Sequence, residues 1–359
     1  MLDCFSVVSS SGGYGVEIGP ALSSTGITAC ENQVVICDRY FSKKYIEIGF
    51  NVIGVDAFEE SKSLDQMSAV ILALRKFGAN RETIIIAVGG GVIQDIATFV
   101  ASVYMRGLSW SYFPTTLLGM VDSCIGGKSS INVGKYKNLI GSFYPPDRIC
   151  IDLQFINTLT AEQRVAGLFE AVKICFASSE DVFDQFIKLN MEANSSAEKF
   201  HALIKLTLVA KKWFIEVDEY DKKERQLLNF GHTFGHAIEG AGNFSIPHGI
   251  AVGIGMLAAI KCARLTGQFD DLPPRVVLLE RYVKVQLATV SSFLRSLEKI
   301  SSSDLMDSFC MDKKHNQSHF YVIVPDEAGR LVRLGLEKSD TNRALISSTF
   351  TDLYADAIL

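Results

Sequence analysis

The chain has 359 residues, and at about 150 residues per domain that length points to two domains, each able to bury a core. With 48% hydrophobic and 21% charged residues, 28 glycines and only 8 prolines, the composition excludes disordered, collagenous and repeat chains. Its 35 basic and 40 acidic residues leave a formal charge of -5, which removes the diffuse positive field that phosphate-backbone binding needs and argues against nucleic acid as a partner.

Eight cysteines, among them Cys30, are scattered without a CxxC pair, as expected of free thiols in a reducing compartment. The start, MLDCFSVVSS, has no basic region followed by a long apolar stretch and does not read as a secretory signal. The longest apolar run, residues 249–260, is shorter than the ~20 residues that span a bilayer. A cytoplasmic protein without a membrane partner is expected.

In chain order, the first half alternates short β-branched runs with helical stretches: VVIC at 34–37, a helix over 61–77, TIIIAV at 83–88, a helix over 93–104 and WSYFP at 110–114. This alternation predicts a parallel sheet with helices on its faces. From about Thr160 the texture changes to helical-period segments at 162–176, 181–190, 196–216 and 249–265, which predicts a mainly α-helical second half. Pro145-Pro146 and residues 157–160 bracket the boundary, so an α/β domain is assigned to residues 1–158 and a helical domain to residues 159–359. A late strand is expected at HFYVIVP, 319–325, followed by a turn at DEAGR.

IIIAVGGGVIQDIATFVA sets Gly89, Gly90 and Gly91 between a buried strand and a helix. Residues without Cβ let the main chain approach a pyrophosphate, and the helix N-terminus offers N–H groups and a positive dipole end. The spacing is not GxGxxG, and a simple tight turn would use the same triplet. Asp95, one turn into the helix, is a cap or a cofactor contact. PTT, 114–116, ends the next strand at the carboxyl edge, where open α/β sheets place their ligands. Between 122 and 138, DSCIGGKSSINVGKYKN carries Lys128, Lys135, Lys137 and Asn138 among small residues. Freed backbone N–H groups and lysine point charges suit an anionic substrate group; the alternative is a solvated loop with surface lysines.

Further on, LLNFGHTFGHAIEG holds His232 and His236 four residues apart, and IPHGIAVGIGM holds His248 sixteen after the first. Four helical residues turn through about 400°, so the first two rings project from nearly one face. Neutral imidazoles are the commonest metal ligands and a carboxylate often completes the set. Glu170, in the apolar segment GLFEAVK, is the candidate, since an ionised buried glutamate without a partner is costly. The alternative is a Glu170–Lys173 pair on a helix face beside stacked surface histidines.

With GGGVIQD, YMRG, PTTLL, VDSCIGGKSSIN, KNLIG, EAVK, LLNFGHTFGHAIE and HG-AV-IGM in order between residues 34 and 256, and DKK at 312–314, the chain resembles 3-dehydroquinate synthase and the wider sugar phosphate cyclase family. The resemblance implies an N-terminal NAD-binding α/β domain with a Rossmann-like parallel sheet, a helical C-terminal metal-binding domain, a homodimer, and one divalent metal, zinc first and cobalt as the alternative. It puts Glu170, His232 and His248 at the metal ligand positions. It puts Asp38, Glu59, Lys62, Gly90, Gly91, Asp95, Thr115, Thr116, Asp122, Lys137 and Thr158 at NAD-contacting positions. Substrate positions fall on Lys128, Asn138, Lys173, Lys211, Arg225, Asn229, His236 and one of Lys313 and Lys314, with Arg106 reaching across the dimer.

The implied activity is conversion of 3-deoxy-D-arabino-heptulosonate 7-phosphate to 3-dehydroquinate and phosphate, a lyase reaction of the shikimate route to aromatic amino acids. Arg225 and Lys211 favour a substrate with a carboxylate as well as a phosphate over sedoheptulose 7-phosphate or glucose 6-phosphate. The cations also argue against a metal-dependent polyol or alcohol dehydrogenase, and the retained metal positions against a non-catalytic NAD-binding protein. Three departures from the family pattern suggest a divergent branch: Gln94 in place of Gly, Ile250 in place of Glu, and FEAVKICFA in place of an AEVIKYG-like run. Gln94 borders the pyrophosphate turn, and Ile250 lies beside His248, where a carboxylate would orient the ring.

Overall fold

The continuous apolar runs become the middle of a seven-stranded sheet in the computed structural model, which describes residues 2–10, 12–25, 32–134, 136–351 and 353. Lys135 and Cys30 lie outside the described residues. The strands are β1 (Asp3–Ser9), β2 (Gly12–Gly19), β3 (Gln33–Asp38), β4 (Asn51–Val55), β5 (Ile84–Gly89), β6 (Trp110–Pro114), a separate two-stranded ribbon of β7 (Ile131–Val133) and β8 (Tyr136–Ile140), and β9 (Arg148–Asp152). The sheet order is β1-β2-β9-β6-β5-β3-β4, parallel throughout except for the β1–β2 hairpin. Val34, Val35, Ile36 and Cys37 of β3 and Ile85, Ile86, Ala87 and Val88 of β5 are all buried, because a central parallel strand is covered on both faces and has no polar side to alternate with. After β4 is added on one side of β3, β5 and β6 add on the other, so the strand order reverses between β3 and β5. Asp38 and the Gly89 turn end those two strands at that switch point, where open sheets bind ligands.

The chain divides into two compact units. Unit one is Met1–Thr160 with Ser196–Tyr220, and unit two is Ala161–Ser195 with Asp221–Leu359. The segment 196–220 therefore belongs with the α/β half, not with the helical half to which its period assigned it. Its helix, Ala197–Val217, packs on β1, β2 and the π-helical turn Gly119–Ser123. Glu216 accepts the Val8 N–H at 2.9 Å, and Lys205 and His201 reach Asp3 at 2.7 and 2.8 Å. Helical period identifies a buried face but not the element that covers it.

Unit two is built around the helix His248–Leu265, which packs against helices Ala161–Ser178, His232–Ala241, Pro274–Ala288 and Asp340–Phe350 and against β10 (His319–Pro325). Among the described residues this is the one helix long and apolar enough to cross a membrane, and 78% of it is buried within the fold. A helix apolar on every side is a core helix when protein surrounds it. β10 pairs with β11 (Leu331–Glu337) across the expected DEAGR turn, where Asp326 accepts the N–H groups of Ala328 and Arg330.

Two glycine contacts bring the helices of this unit close. A Cβ at Gly249 would meet the Ala166 carbonyl oxygen at 2.3 Å, and one at Gly255 would meet that of Gly231 at 2.1 Å. The first contact seats the start of His248–Leu265 on the helix that carries Glu170; the second seats it on the start of the helix that carries His232 and His236.

Candidate functional site

In unit two, Glu170, His232 and His248 come together from three helices, with one ligand atom of each within 4.8 Å of the others. Glu170 Oε1 lies 3.2 Å from His248 Nε2 and 3.7 Å from His232 Nε2, and the Glu170 side chain is 1% exposed. A tetrahedral zinc with bonds of about 2.0–2.2 Å holds its ligand atoms roughly 3.3–3.5 Å apart, so this donor set fits such an ion. Lys173 Nζ sits on the other carboxylate oxygen at 2.5 Å. The helix-face pair and the histidine cluster are thus both present; the pair is buried, whereas His236 and His248 are half-buried. His232 meets His236 edge to face at 5.5 Å and 90°, while His236 and His248 stack at 5.9 Å and 29°.

The outer nitrogens decide the orientation of the rings. His232 Nδ1 is 3.3 Å from the Phe230 carbonyl, and His248 Nδ1 is 2.9 Å from Glu239 Oε2, which leaves each Nε2 directed to Glu170. Burial, with the Lys173 charge added, pushes His232 well below the ordinary histidine range, so its ring is in the neutral form that binds metals. His236 stands on the other side of a short network. Its Nδ1 is 3.2 Å from Asp312 Oδ2, and Lys314 Nζ reaches the same oxygen at 3.1 Å. Burial pushes Lys314 down from the usual lysine range. Of the two DKK lysines, Lys314 is the one beside His236. Arg225 and Asn229 lie on the 3-10 turn Glu224–Asn229; Arg225 is buried, and Asn229 Nδ2 donates to the Gln226 carbonyl at 3.1 Å.

Unit one holds the other expected residues. Gly90 precedes the helix Gly91–Val103, whose first turn has no side-chain cap. A Cβ at Gly90 would meet Thr116 Cγ2 at 2.8 Å, whereas one at Gly91 would meet nothing within 4 Å. Gly90 is therefore needed for the approach of the next strand's end, and Gly91 leaves the uncapped N–H groups open to an anion. Thr115 N donates to the Gly89 carbonyl at 3.0 Å, and Thr116 Oγ1 accepts from Gly119 N at 3.1 Å, so PTT is tied to the glycine turn. Asp38 caps the helix Arg39–Glu47 through Tyr40 N, and Thr158 Oγ1 donates to the Phe155 carbonyl.

Below the turn is a closed polar network. Lys62 Nζ contacts Asp95 at 3.0 Å, Asn138 Oδ1 at 2.9 Å and Glu59 at 3.2 Å. Lys137 approaches Glu59 at 3.6 Å, and Asp95 Oδ1 accepts Ser130 N at 2.9 Å. Asp95 is thus no helix cap: it joins three segments. Lys211 donates to the carboxylate and carbonyl of Asp122 and to the Ile125 carbonyl. Lys128 is half-buried over the Phe143 ring at 5.8 Å. Arg106 is exposed on a turn where Met105, Arg106 and Gly107 all have positive φ, at 48, 73 and 131°.

Two of the departures acquire a physical account. Gln94 turns away from the glycine turn and pairs with Ser123, donating to its carbonyl and accepting from its hydroxyl at 2.6 Å each, so it anchors the loop that begins at Asp122. Ile250 is fully buried, and the carboxylate beside His248 comes instead from Glu239. Sequence reasoning singled out neither Glu239 nor Asn132, which links Glu59 to Asn138, and treated Asp312 only as part of a motif. For Glu239 a signal existed: it follows His232 by seven residues and shares its helix face.

The fold and the donor set define a two-unit α/β and α-helical protein equipped to hold a divalent metal. Residues 52–166 match the family description 3-dehydroquinate synthase N-terminal and residues 167–315 match 3-dehydroquinate synthase C-terminal. The chain is 38% identical over 284 residues to a 3-dehydroquinate synthase of Dictyoglomus turgidum, covering 78% of each chain. It belongs to the 3-dehydroquinate synthase family. A 2-deoxy-scyllo-inosose synthase, complexed with carbaglucose-6-phosphate, NAD+ and Co2+, shares the fold at a TM-score of 0.81 and 22% identity, over 98% of this chain and 100% of that one. A 2-epi-5-epi-valiolone synthase from Streptomyces hygroscopicus subsp. jinggangensis 5008, with NAD+ and Zn2+ bound, shares it at 0.77 and 23%, over 95% and 96%.

Proposed function

We propose that the chain is a 3-dehydroquinate synthase that converts 3-deoxy-D-arabino-heptulosonate 7-phosphate to 3-dehydroquinate and inorganic phosphate, using NAD and one divalent metal, zinc or cobalt. The observation that carries the reading is the Glu170, His232 and His248 donor set, assembled in a chain 38% identical to a curated enzyme of that name. Residues 1–158 form the nucleotide domain and residues 159–359 supply the metal site, with the helix 197–217 lending Lys211 to the first.

When bound, NAD supplies hydride acceptance and return, and the metal supplies Lewis acidity toward the substrate's hydroxyl and ketone. The residues of the chain bind, orient and move protons. Lys173 and Arg225, buried in unit two, hold anionic groups where solvent screens little. His236 is fixed through Nδ1 by Asp312, which leaves Nε2 as the nitrogen that takes or gives a proton. Asn229 and Lys314 complete the substrate groups of that unit. In unit one, Gly90, Gly91, Thr115 and Thr116 receive the pyrophosphate; Asp38, Glu59, Lys62, Asp95, Asp122, Lys137 and Thr158 serve the rest of the nucleotide; Lys128, Asn138 and Lys211 serve the substrate. The conversion is redox-neutral overall: phosphate leaves with the electron pair of its C–O bond, and an intramolecular aldol step closes the ring. The protein acts as a homodimer in which Arg106 serves the second subunit.

A phosphate-release assay with 3-deoxy-D-arabino-heptulosonate 7-phosphate beside sedoheptulose 7-phosphate tests this. Release is expected with the first alone, abolished by a chelator, restored by Zn2+ or Co2+, and without net NADH. Release from sedoheptulose 7-phosphate alone overturns the reading.

A further inference from the structure

The two rings of the donor set are held by different kinds of acceptor. His232 Nδ1 faces a neutral backbone carbonyl at 3.3 Å, and His248 Nδ1 faces the carboxylate of Glu239 at 2.9 Å. A neutral imidazole carries one N–H and one lone pair, and an ionised carboxylate only accepts hydrogen bonds. Glu239 therefore accepts the Nδ1 proton, which leaves Nε2, 3.2 Å from Glu170 Oε1, as the ring nitrogen that a cation held between the two would use. The helix His248–Leu265, HGIAVGIGMLAAIKCARL, contains no Asp or Glu, so a carboxylate for this ring has to come from another helix. The helix His232–Ala241 provides it: His232, His236 and Glu239 fall at positions i, i+4 and i+7 on one face, and the Gly255–Gly231 contact brings that helix against its neighbour. The Glu239 side chain is 14% exposed, so its charge acts on the ring with little screening.

We infer that Glu239 is a positioning residue of the metal site, setting the tautomer, angle and basicity of His248 without touching the ion. The inference rests on the metal part of the proposed function and extends it. His236, Glu239 and His248 also form a triad of possible ligand atoms within 4.8 Å, so the competing assignment is a ligand of a second ion.

The test uses the metal-stripped full chain with Zn2+ or Co2+ alone, and reads dissociation constant, stoichiometry and the visible spectrum of bound Co2+. One ion per chain is expected, with affinity about 10–100-fold weaker in Glu239→Ala and a smaller loss in Glu239→Gln, which keeps the acceptor but not the charge. Both variants should shift the Co2+ bands while the thermal midpoint of metal-free Glu239→Gln stays at that of the parent. Should Glu239→Ala not fold, an unchanged affinity and spectrum in Glu239→Gln overturns the inference. Two ions in the parent and one in the variant overturn it in favour of a ligand role. Failure of the parent itself to bind either ion removes the metal reading as well, which separates the two failures.

Discussion

Lys62 in unit one meets Asp95, Glu59 and Asn138 within 3.2 Å, while Glu170 in unit two meets two imidazoles on one oxygen and Lys173 on the other. In the first cluster cations, carboxylates and amides alternate, and each group answers a neighbour of the same chain, as in a framework that fixes the loop 122–138 beneath the glycine turn. In the second, one Glu170 oxygen and two ring nitrogens are crowded together while Lys173 takes the other oxygen, and two further carboxylates, Glu239 and Asp312, stand behind the rings. Buried polar groups that satisfy one another hold shape, whereas convergent donors of one kind imply a cation brought from outside.

Four substitutions would break or sharpen this contrast. The largest effect is expected for Glu170→Ala: loss of bound metal and a fall in turnover of about 10³-fold or more, with NAD affinity unchanged within about twofold, read by metal analysis and nucleotide titration. Full activity would remove Glu170 from the site. Lys62→Met should do the reverse, leaving metal content intact but costing about 3 kcal/mol in denaturant unfolding, because the Asp95 carboxylate loses its cation in a buried setting. An intact stability would mean that the network is not a framework. Arg225→Ala is expected to lower kcat/KM about 100-fold with the carboxylated heptulose phosphate, and less with one lacking the carboxylate. Equal losses would take the carboxylate role from Arg225. The smallest effect is that of Gly255→Ala, whose Cβ would lie 2.1 Å from the Gly231 carbonyl oxygen. It should cost about 1–3 kcal/mol by pushing the two helices apart. Thermal unfolding measures this, and an unchanged midpoint would show that the histidine helices are not held by that contact.

Much of both clusters was legible in the order of residues. The apolar runs at 34–37 and 83–88 identified central strands, the glycine triplet marked the sheet's ligand edge, and the spacing of His232 and His236 announced one helix face. What escaped were elements and contacts whose signal is weak or non-local. β1 alternates in burial at the edge of the sheet and lacks the run of apolar residues that marks a central strand. Gln94 and Ser123, 29 residues apart, pair only because a helix and a π-helical turn meet. Asp312 reaches His236 across 76 residues, and no local period encodes that partnership. The choice between Lys313 and Lys314 likewise depended on which side of one loop faces the histidines.

By itself the sequence determined the class of fold, the family, and the chemical kinds gathered in each half, because backbone geometry makes apolar period, glycine turns and helix-face spacing local properties. Only the tertiary structure decided that the helix Ala197–Val217 joins the α/β unit, that Glu239 stands behind His248, and that Lys62 is enclosed by Asp95, Glu59 and Asn138. Those outcomes depend on which buried faces meet and how closely glycine lets them approach, a property of three-dimensional packing that no stretch of the chain carries alone.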